Sequence, residues 1–168
     1  MKQIFVDVKR CNGCLTCVLA CAAAHSSTGD IVGAMLEKVE GRLTVEAVNG
    51  QAVPLMCRHC QEPACVDACM TGAMQKDPVS GIVTNEGNEQ ACVGCWMCVM
   101  ACPYGLVWPR RSDQQIAYKC DRCAGKEIPA CVASCPNNAL FFEEGNDFAG
   151  HRTAQLAKSL VEGLVRAG

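Results

Sequence analysis

CVGCWMCVMACP, residues 92–103, sets four cysteines in eleven residues, at spacings of three, three and four, and closes on Pro103. CNGCLTCVLAC, residues 11–21, has the same spacing. In a C-x2-C-x2-C-x3-C-P run, three close thiolates wrap three corners of a cubane [4Fe–4S] cluster. The fourth cysteine lies on a following helix and reaches a different cluster. The proline ends the tight segment because it lacks an N–H and fixes φ.

All sixteen cysteines of the 168-residue chain fall into four such groups. They are Cys11, Cys14, Cys17 and Cys21; Cys57, Cys60, Cys65 and Cys69; Cys92, Cys95, Cys98 and Cys102; and Cys120, Cys123, Cys131 and Cys135. The second group, CRHCQEPACVDAC, matches the fourth, CDRCAGKEIPACVASC, apart from three extra residues before the shared PAC. The order A-B-A-B is what a duplicated unit leaves. Pro136 follows the fourth group, whereas Met70 and Ala22 take that place in the second and first. Those departures weaken the turn argument but remove no ligand.

A cysteine at roughly one position in ten is the density of a secreted disulfide scaffold. The N-terminus points elsewhere: in MKQIFVDVKR, Asp7 interrupts the apolar run Ile4 to Val8, so no signal-peptide core forms. Arg110-Arg111 lies mid-chain and is no export signal. No window approaches eighteen apolar residues, so no transmembrane segment is expected. The expected compartment is the reducing cytoplasm, where cysteine clusters bind metal. Zinc in four all-cysteine sites would use the same sixteen thiols. A zinc ribbon, however, spreads its C-x2-C pairs apart and does not place three thiols within seven residues. A formal charge of −2 does not suggest a nucleic-acid partner. With only eight Phe, Trp and Tyr residues the core is thin, so metal binding and folding should be coupled.

The stretches FVDVKRCNGCLTCVLACAAAHS, PLMCRHCQEPACVDAC, GIVTNEGNEQACVGCWMCVMACPYG and YKCDRC with PACVASCPNNAL span residues 5–140. Together they resemble the four-cluster, ferredoxin-type electron-transfer subunits of multi-subunit redox enzymes. These serve carbon monoxide dehydrogenases, tungsten aldehyde oxidoreductases, formate dehydrogenases and formate hydrogenlyase, and more distantly dimethyl sulfoxide and nitrate reductases. The short AAAHS after the first group looks most like the carbon monoxide dehydrogenase and aldehyde oxidoreductase branch. The resemblance implies four [4Fe–4S] clusters in a nested scheme. Cys11, Cys14 and Cys17 share a cluster with Cys135, and Cys120, Cys123 and Cys131 take Cys21. Cys57, Cys60 and Cys65 take Cys102, and Cys92, Cys95 and Cys98 take Cys69. It also implies partners: a catalytic tungsten/molybdenum or nickel–iron subunit, with an FAD-containing, NAD-linked subunit among the acceptors.

The expected fold is α+β and loop-rich: duplicated bacterial ferredoxin-like 2[4Fe–4S] units over residues 1–145, an added β-hairpin at about 41–56, and a C-terminal amphipathic helix within 146–168. The hairpin rests on RLTVEAV, Asn49-Gly50 and QAVPLM, with Pro54 restricting the second strand to a short or edge role. Further strands are expected at 2–8, 82–84, 105–108, 115–119 and 139–142. The helix rests on Leu156, Leu160, Val161, Leu164 and Val165, opposite Arg152, Lys158, Glu162 and Arg166. Asn146 or Asp147 is its expected cap. This helix is read as a docking element, for the catalytic subunit or for another copy of the chain, whose head-to-tail contact would extend into a filament.

His25 and His59 read as residues behind the ligands, since cysteine fills every cluster position. Trp96, Met97 and Trp108 read as packing against clusters. Lys119, Arg122 and Lys126 are either a solvated face or an offset to cluster charge, about −2 for each oxidised cluster with its thiolates. No phosphate loop, nucleotide fingerprint or nucleophile–base set occurs. The expected role is therefore an electron carrier, not a catalyst. The rival, from another class, is a metal- or redox-sensing scaffold.

Overall fold

In the structure, a computed structural model, residues 1–110 and 115–166 are described, with side chains in the last helix described to residue 162. Arg111 lies outside the described residues, as do the side chains of Leu164, Val165 and Arg166.

The strands form four antiparallel pairs among the described residues. β1 (Gln3–Val6) pairs with β8 (Leu140–Glu143), Gln3 opposite Glu143 and Val6 opposite Leu140, and so ties the two ends of the chain together. β2 (Leu43–Val48) and β3 (Gln51–Met56) make the hairpin. Its turn residues Asn49 (φ 50°) and Gly50 (φ 78°) are both left-handed, the backbone that Asn-Gly adopts at least cost. Pro54 is tolerated because each strand of a lone pair has a free edge. β4 (Gln75–Lys76) pairs with β5 (Val83–Thr84), and β6 (Trp108–Pro109) with β7 (Ala117–Tyr118). The strand expected at 105–108 is thus shifted: Leu106 and Val107 are buried, but pairing begins at Trp108.

The short helices follow the cysteines: α1 (Thr16–Ala24), α3 (Ala64–Asp67), α4 (Met97–Ala101) and α5 (Ala130–Ala133). α2 (Ile31–Leu36) has no periodic pattern long enough to announce it; Asp30 caps it by accepting the Gly33 N–H at 2.7 Å. α6 (Gly145–Arg166) starts ahead of the expected cap, so Asn146 and Asp147 lie inside its first turn. The Phe148 N–H bonds the Glu144 carbonyl, which precedes the helix. Phe148 anchors α6 by stacking on Phe5 at 4.5 Å between ring centroids and tilting against Phe141 at 5.8 Å. Arg152 reaches buried Asp7 at 3.3 Å. Past that point the helix leaves the body, and Leu156, Leu160 and Val161 are each 60% exposed.

Two small apolar clusters make the core, and cysteine is part of both. Cys17, Cys21, Leu43, Met56, Cys120, Cys131 and Leu140 form one; Met74, Val83, Cys98, Val107 and Ala117 form the other. No described helix is long and apolar enough to cross a membrane.

Candidate metal centres

The C-x2-C turns are shaped by left-handed backbone. The residue just before the second cysteine has positive φ in every group: Gly13 (73°), His59 (46°), Gly94 (68°) and Arg122 (58°). Glycine enters that region without strain. At position 94 a Cβ would also sit 2.1 Å from the Gln115 carbonyl oxygen. Leu15 and Trp96, the residues ahead of α1 and α4, are left-handed as well. Successive left-handed residues curl the chain so that its thiols converge on one side.

That curling creates three cavities. Cys11, Cys14, Cys17 and Cys135 line the first. Cys57, Cys60, Cys65 and Cys102 line the second. Cys69, Cys92, Cys95 and Cys98 line the third. Cys21, Cys120, Cys123 and Cys131 meet in the interior, where all four are buried and close enough for their charges to interact. The short helices distribute the cysteines. α1 carries Cys17 and Cys21 to different sets, and Cys131 on α5 and Cys135 just beyond it also part.

The four sets lie in a row. Cys131 of the interior set lies within reach of the charge of Cys17 in the first. Cys57 of the second set packs on the cluster that holds Cys120 and interacts with its charge. Cys65 and Cys102 of the second set and Cys69, Cys92 and Cys98 of the third share the other apolar cluster. The row therefore runs from the Cys11 set through the Cys120 set and the Cys57 set to the Cys92 set. Each end has one exposed cysteine, Cys14 at one and Cys95 at the other.

Backbone amides point at the sulfurs. The fourth cysteine of each group accepts an N–H: Cys21 from Arg42 (3.3 Å), Cys69 from Met74 (3.2 Å), Cys102 from Leu106 (3.4 Å) and Cys135 from Ala139 (3.2 Å). Cys57 and Cys120 accept from the left-handed residues His59 (3.5 Å) and Arg122 (3.3 Å). Burial pushes the thiols of Cys21 and Cys120 up to about 12 and that of Cys65 to about 11. Bare thiolates are disfavoured there, and a bound cation would reverse this.

The cations near the centre are buried, not solvated. Lys119 and Arg122 are 2% and 8% exposed; only Lys126 is on the surface. Lys119 donates Nζ–H to the carbonyls of Val83 and of Cys120. Arg122 Nη1 donates to the Lys2 carbonyl at 2.7 Å. His59 accepts the Val83 N–H on Nδ1 at 3.0 Å, and burial and the charges of Lys119 and Arg122 hold its pKa down at about 3. His25 bridges the Cys21 carbonyl (Nδ1, 2.7 Å) and the Asp121 carboxylate (Nε2, 3.0 Å). Asp121 also accepts the Cys123 N–H at 3.0 Å and lies 3.4 Å from Arg42, which in turn bonds Glu86 at 2.8 Å. Among these residues His25 sits behind the cysteines as the sequence suggested, whereas His59 lines the Cys57 cavity beside them. The Arg42–Asp121–Glu86 network has no local sequence signal, because its members come from distant segments. Trp96 lines the Cys92 cavity, whereas Trp108 lines a broad groove with Val18, Leu43 and Tyr118 and none of the three cysteine cavities.

The residues fit an iron–sulfur group. Each set offers four converging sulfurs, three sets around a small cavity and one around a buried centre. The buried N–H groups of Arg122 (Nε, Nη2), Arg42 (Nε) and His59 (Nε2) have no hydrogen-bond partner among the described residues. Donors left so inside a protein call for an acceptor, and inorganic sulfide is one.

A 4Fe–4S dicluster domain model matches residues 48–145. Over 155 residues the chain is 37% identical to an iron–sulfur protein of Rhodospirillum rubrum, across 82% of this chain and 79% of the relative. It is 34% identical over 158 residues to the electron transport protein HydN of Escherichia coli (strain K12), across 85% and 88%. It is 35% identical over 149 residues to a subunit of the anaerobic dimethyl sulfoxide reductase of the same organism, across 82% and 71%.

Proposed function

Because this protein belongs to the 4Fe–4S dicluster domain family of ferredoxin-type electron-transfer subunits, we propose that it carries four [4Fe–4S] clusters and conducts single electrons along them. In this reading each of the four converging cysteine sets ligates one cluster. Cys11, Cys14, Cys17 and Cys135 hold the first; Cys21, Cys120, Cys123 and Cys131 the next; Cys57, Cys60, Cys65 and Cys102 the third; Cys69, Cys92, Cys95 and Cys98 the last. The observation that carries it is the row of sets with one exposed cysteine at each end. Two accessible ends suit a relay: one receives electrons and the other passes them on.

The clusters supply one-electron redox chemistry. The protein's own residues do the rest. The buried cysteines of the Cys120 set exclude water from that centre. Backbone N–H groups of Arg42, Met74, Leu106 and Ala139 stabilise the charged sulfurs. With every iron ligated by cysteine, no open position remains for a substrate, so the protein is a subunit that serves a catalytic partner. That partner is an oxidoreductase subunit of the tungsten/molybdenum or nickel–iron class. Similarity of 34% to the electron transport protein HydN and of 35% to a dimethyl sulfoxide reductase subunit supports service to an oxidoreductase; the aldehyde oxidoreductase or carbon monoxide dehydrogenase setting and the formate dehydrogenase or hydrogenase setting are supported comparably. The acceptor is a flavoprotein, including an FAD-containing, NAD-linked subunit, or a ferredoxin. We place the complex in the cytoplasm. The A-B-A-B cysteine order, with left-handed residues at matching positions, supports descent from a duplicated two-cluster unit.

Anaerobically purified protein tests the proposal. It should be brown, hold about sixteen irons per chain and bleach reversibly with dithionite. Colourless protein holding zinc would establish the scaffold reading instead. Isolation of the native complex identifies the partner.

A further inference from the structure

Lys119 and Arg122 occupy the middle joint of the row. Lys119 bonds the carbonyl of Val83, which lines the Cys57 cavity, and the carbonyl of Cys120 in the neighbouring set. Its charge acts on Cys65 on one side and Cys120 on the other. Arg122 acts in the same way on Cys57 and Cys120. Both are buried, and among the described residues neither makes an ion pair with a carboxylate. Arg42 is the contrast: equally buried, it is matched by Glu86 and Asp121. A buried cation without a carboxylate is costly unless other negative charge compensates it. Here the two cysteine sets supply negative charge on both sides, and the Asp121 carboxylate, which also acts on Cys120, is matched by Arg42 and His25.

The backbone adds an independent observation. Position 122 has the left-handed φ that glycine supplies at positions 13 and 94. Arginine is held there against local preference, with Nε and Nη2 buried and unpartnered. Among the described residues neither terminal cavity is lined by a lysine or arginine.

We propose that Lys119 and Arg122 form a positive joint between the Cys57 and Cys120 sets and make the two middle clusters easier to reduce than the two at the ends. This rests on the four-cluster reading. Reduction adds one electron to a cluster and breaks no bond; the donor is the partner subunit in the complex and dithionite in the test. Burial by itself pushes the other way, because low dielectric disfavours added negative charge. The same low dielectric strengthens the attraction of two fixed cations at close range, and this reverses the order. The joint then holds an electron in transit until the far end is ready to pass it on.

The test uses full-length, anaerobically loaded wild type, Lys119→Met, Lys119→Arg and Arg122→Gly, with iron analysis and EPR-monitored redox titration. Glycine suits the backbone at position 122, so that variant removes charge without local strain. In Lys119→Met and Arg122→Gly the two highest midpoints should fall by at least a tenfold change in the one-electron equilibrium, about 59 mV. Lys119→Arg should keep the wild-type values. Unchanged midpoints in the iron-replete charge-removing variants overturn the proposal, as does a fall confined to the lowest midpoints. Should Lys119→Met lose iron, Arg122→Gly decides; loss of iron in both makes these residues structural and overturns it too. Wild type holding fewer than four clusters sinks the parent reading instead.

Discussion

Cys17 and Cys21 sit one turn apart on α1 yet face different cysteine sets. Cys17 lines the cavity of Cys11, Cys14 and Cys135, while Cys21 lies among Cys120, Cys123 and Cys131. A turn of helix offsets two side chains by about 5.4 Å, enough for one short helix to serve two neighbouring centres at once. Adjacent sets in the row are thereby linked by covalent helix as well as by packing.

The first prediction follows from that helix. Cys21→Ser should disturb the cluster at Cys120, Cys123 and Cys131, some hundred residues away, and leave the one at Cys11, Cys14 and Cys17 intact. EPR of the reduced variant, or its structure, decides. Finding Cys21 on the same cluster as Cys11 would refute the swap.

Metal load gives the second. Iron and acid-labile sulfide should each approach about sixteen per chain, and a value near eight irons contradicts four clusters. Chelation of the iron should abolish most secondary structure by circular dichroism. Both apolar clusters contain cysteine, so losing the metal removes the bonds that tie these core positions together.

The cysteine spacing made most members of each converging set legible, because they lie close together in the chain, which local sequence records directly. The hairpin was legible for the same reason: Asn49-Gly50 specifies its own turn. What lay beyond local sequence was charge burial. Nothing in YKCDRC separates a solvated lysine from Lys119, whose surroundings come from Val83 and the Cys57 set. Arg42, Glu86 and Asp121 meet only once the row of centres is assembled. Helix α2 went unread because six residues carry too little periodicity to distinguish them from a loop.

Asp121 supplies the third prediction. Hydrogen bonds from His25 and Cys123 and the charge of Arg42 hold its carboxyl well below the usual range, against the opposing effect of burial. Asp121→Asn leaves Arg42 and His25 short of a partner and should cost about 2 kcal/mol, read as bleaching at lower urea. A carboxyl with depressed folded pKa stabilises fully above its unfolded value, near 3.8, and that contribution fades as pH falls. The deficit of the variant should therefore persist through neutral and alkaline pH and shrink in acid. A deficit that grows in acid would assign it to some other cause.

The last prediction concerns α6. Its first turns belong to the body: Phe148 stacks on Phe5, and Arg152 reaches Asp7 beneath the β1–β8 pair. Beyond Arg152 the described side chains are exposed, including Leu156, Leu160 and Val161 at helical spacing. Such a stripe on a projecting helix suits a groove in another protein, the catalytic subunit or a second copy of this one. The truncation should therefore begin after Arg152, which keeps the anchor. Removing residues 153–168 should leave iron content, colour and dithionite bleaching unchanged, since no cysteine and no described core residue lies there. The native assembly should shrink on a sizing column, to the free subunit if the partner is the catalytic one, or from a polydisperse series to one species if copies associate head to tail. Full assembly size after truncation, or loss of iron, would show that the stripe does not dock.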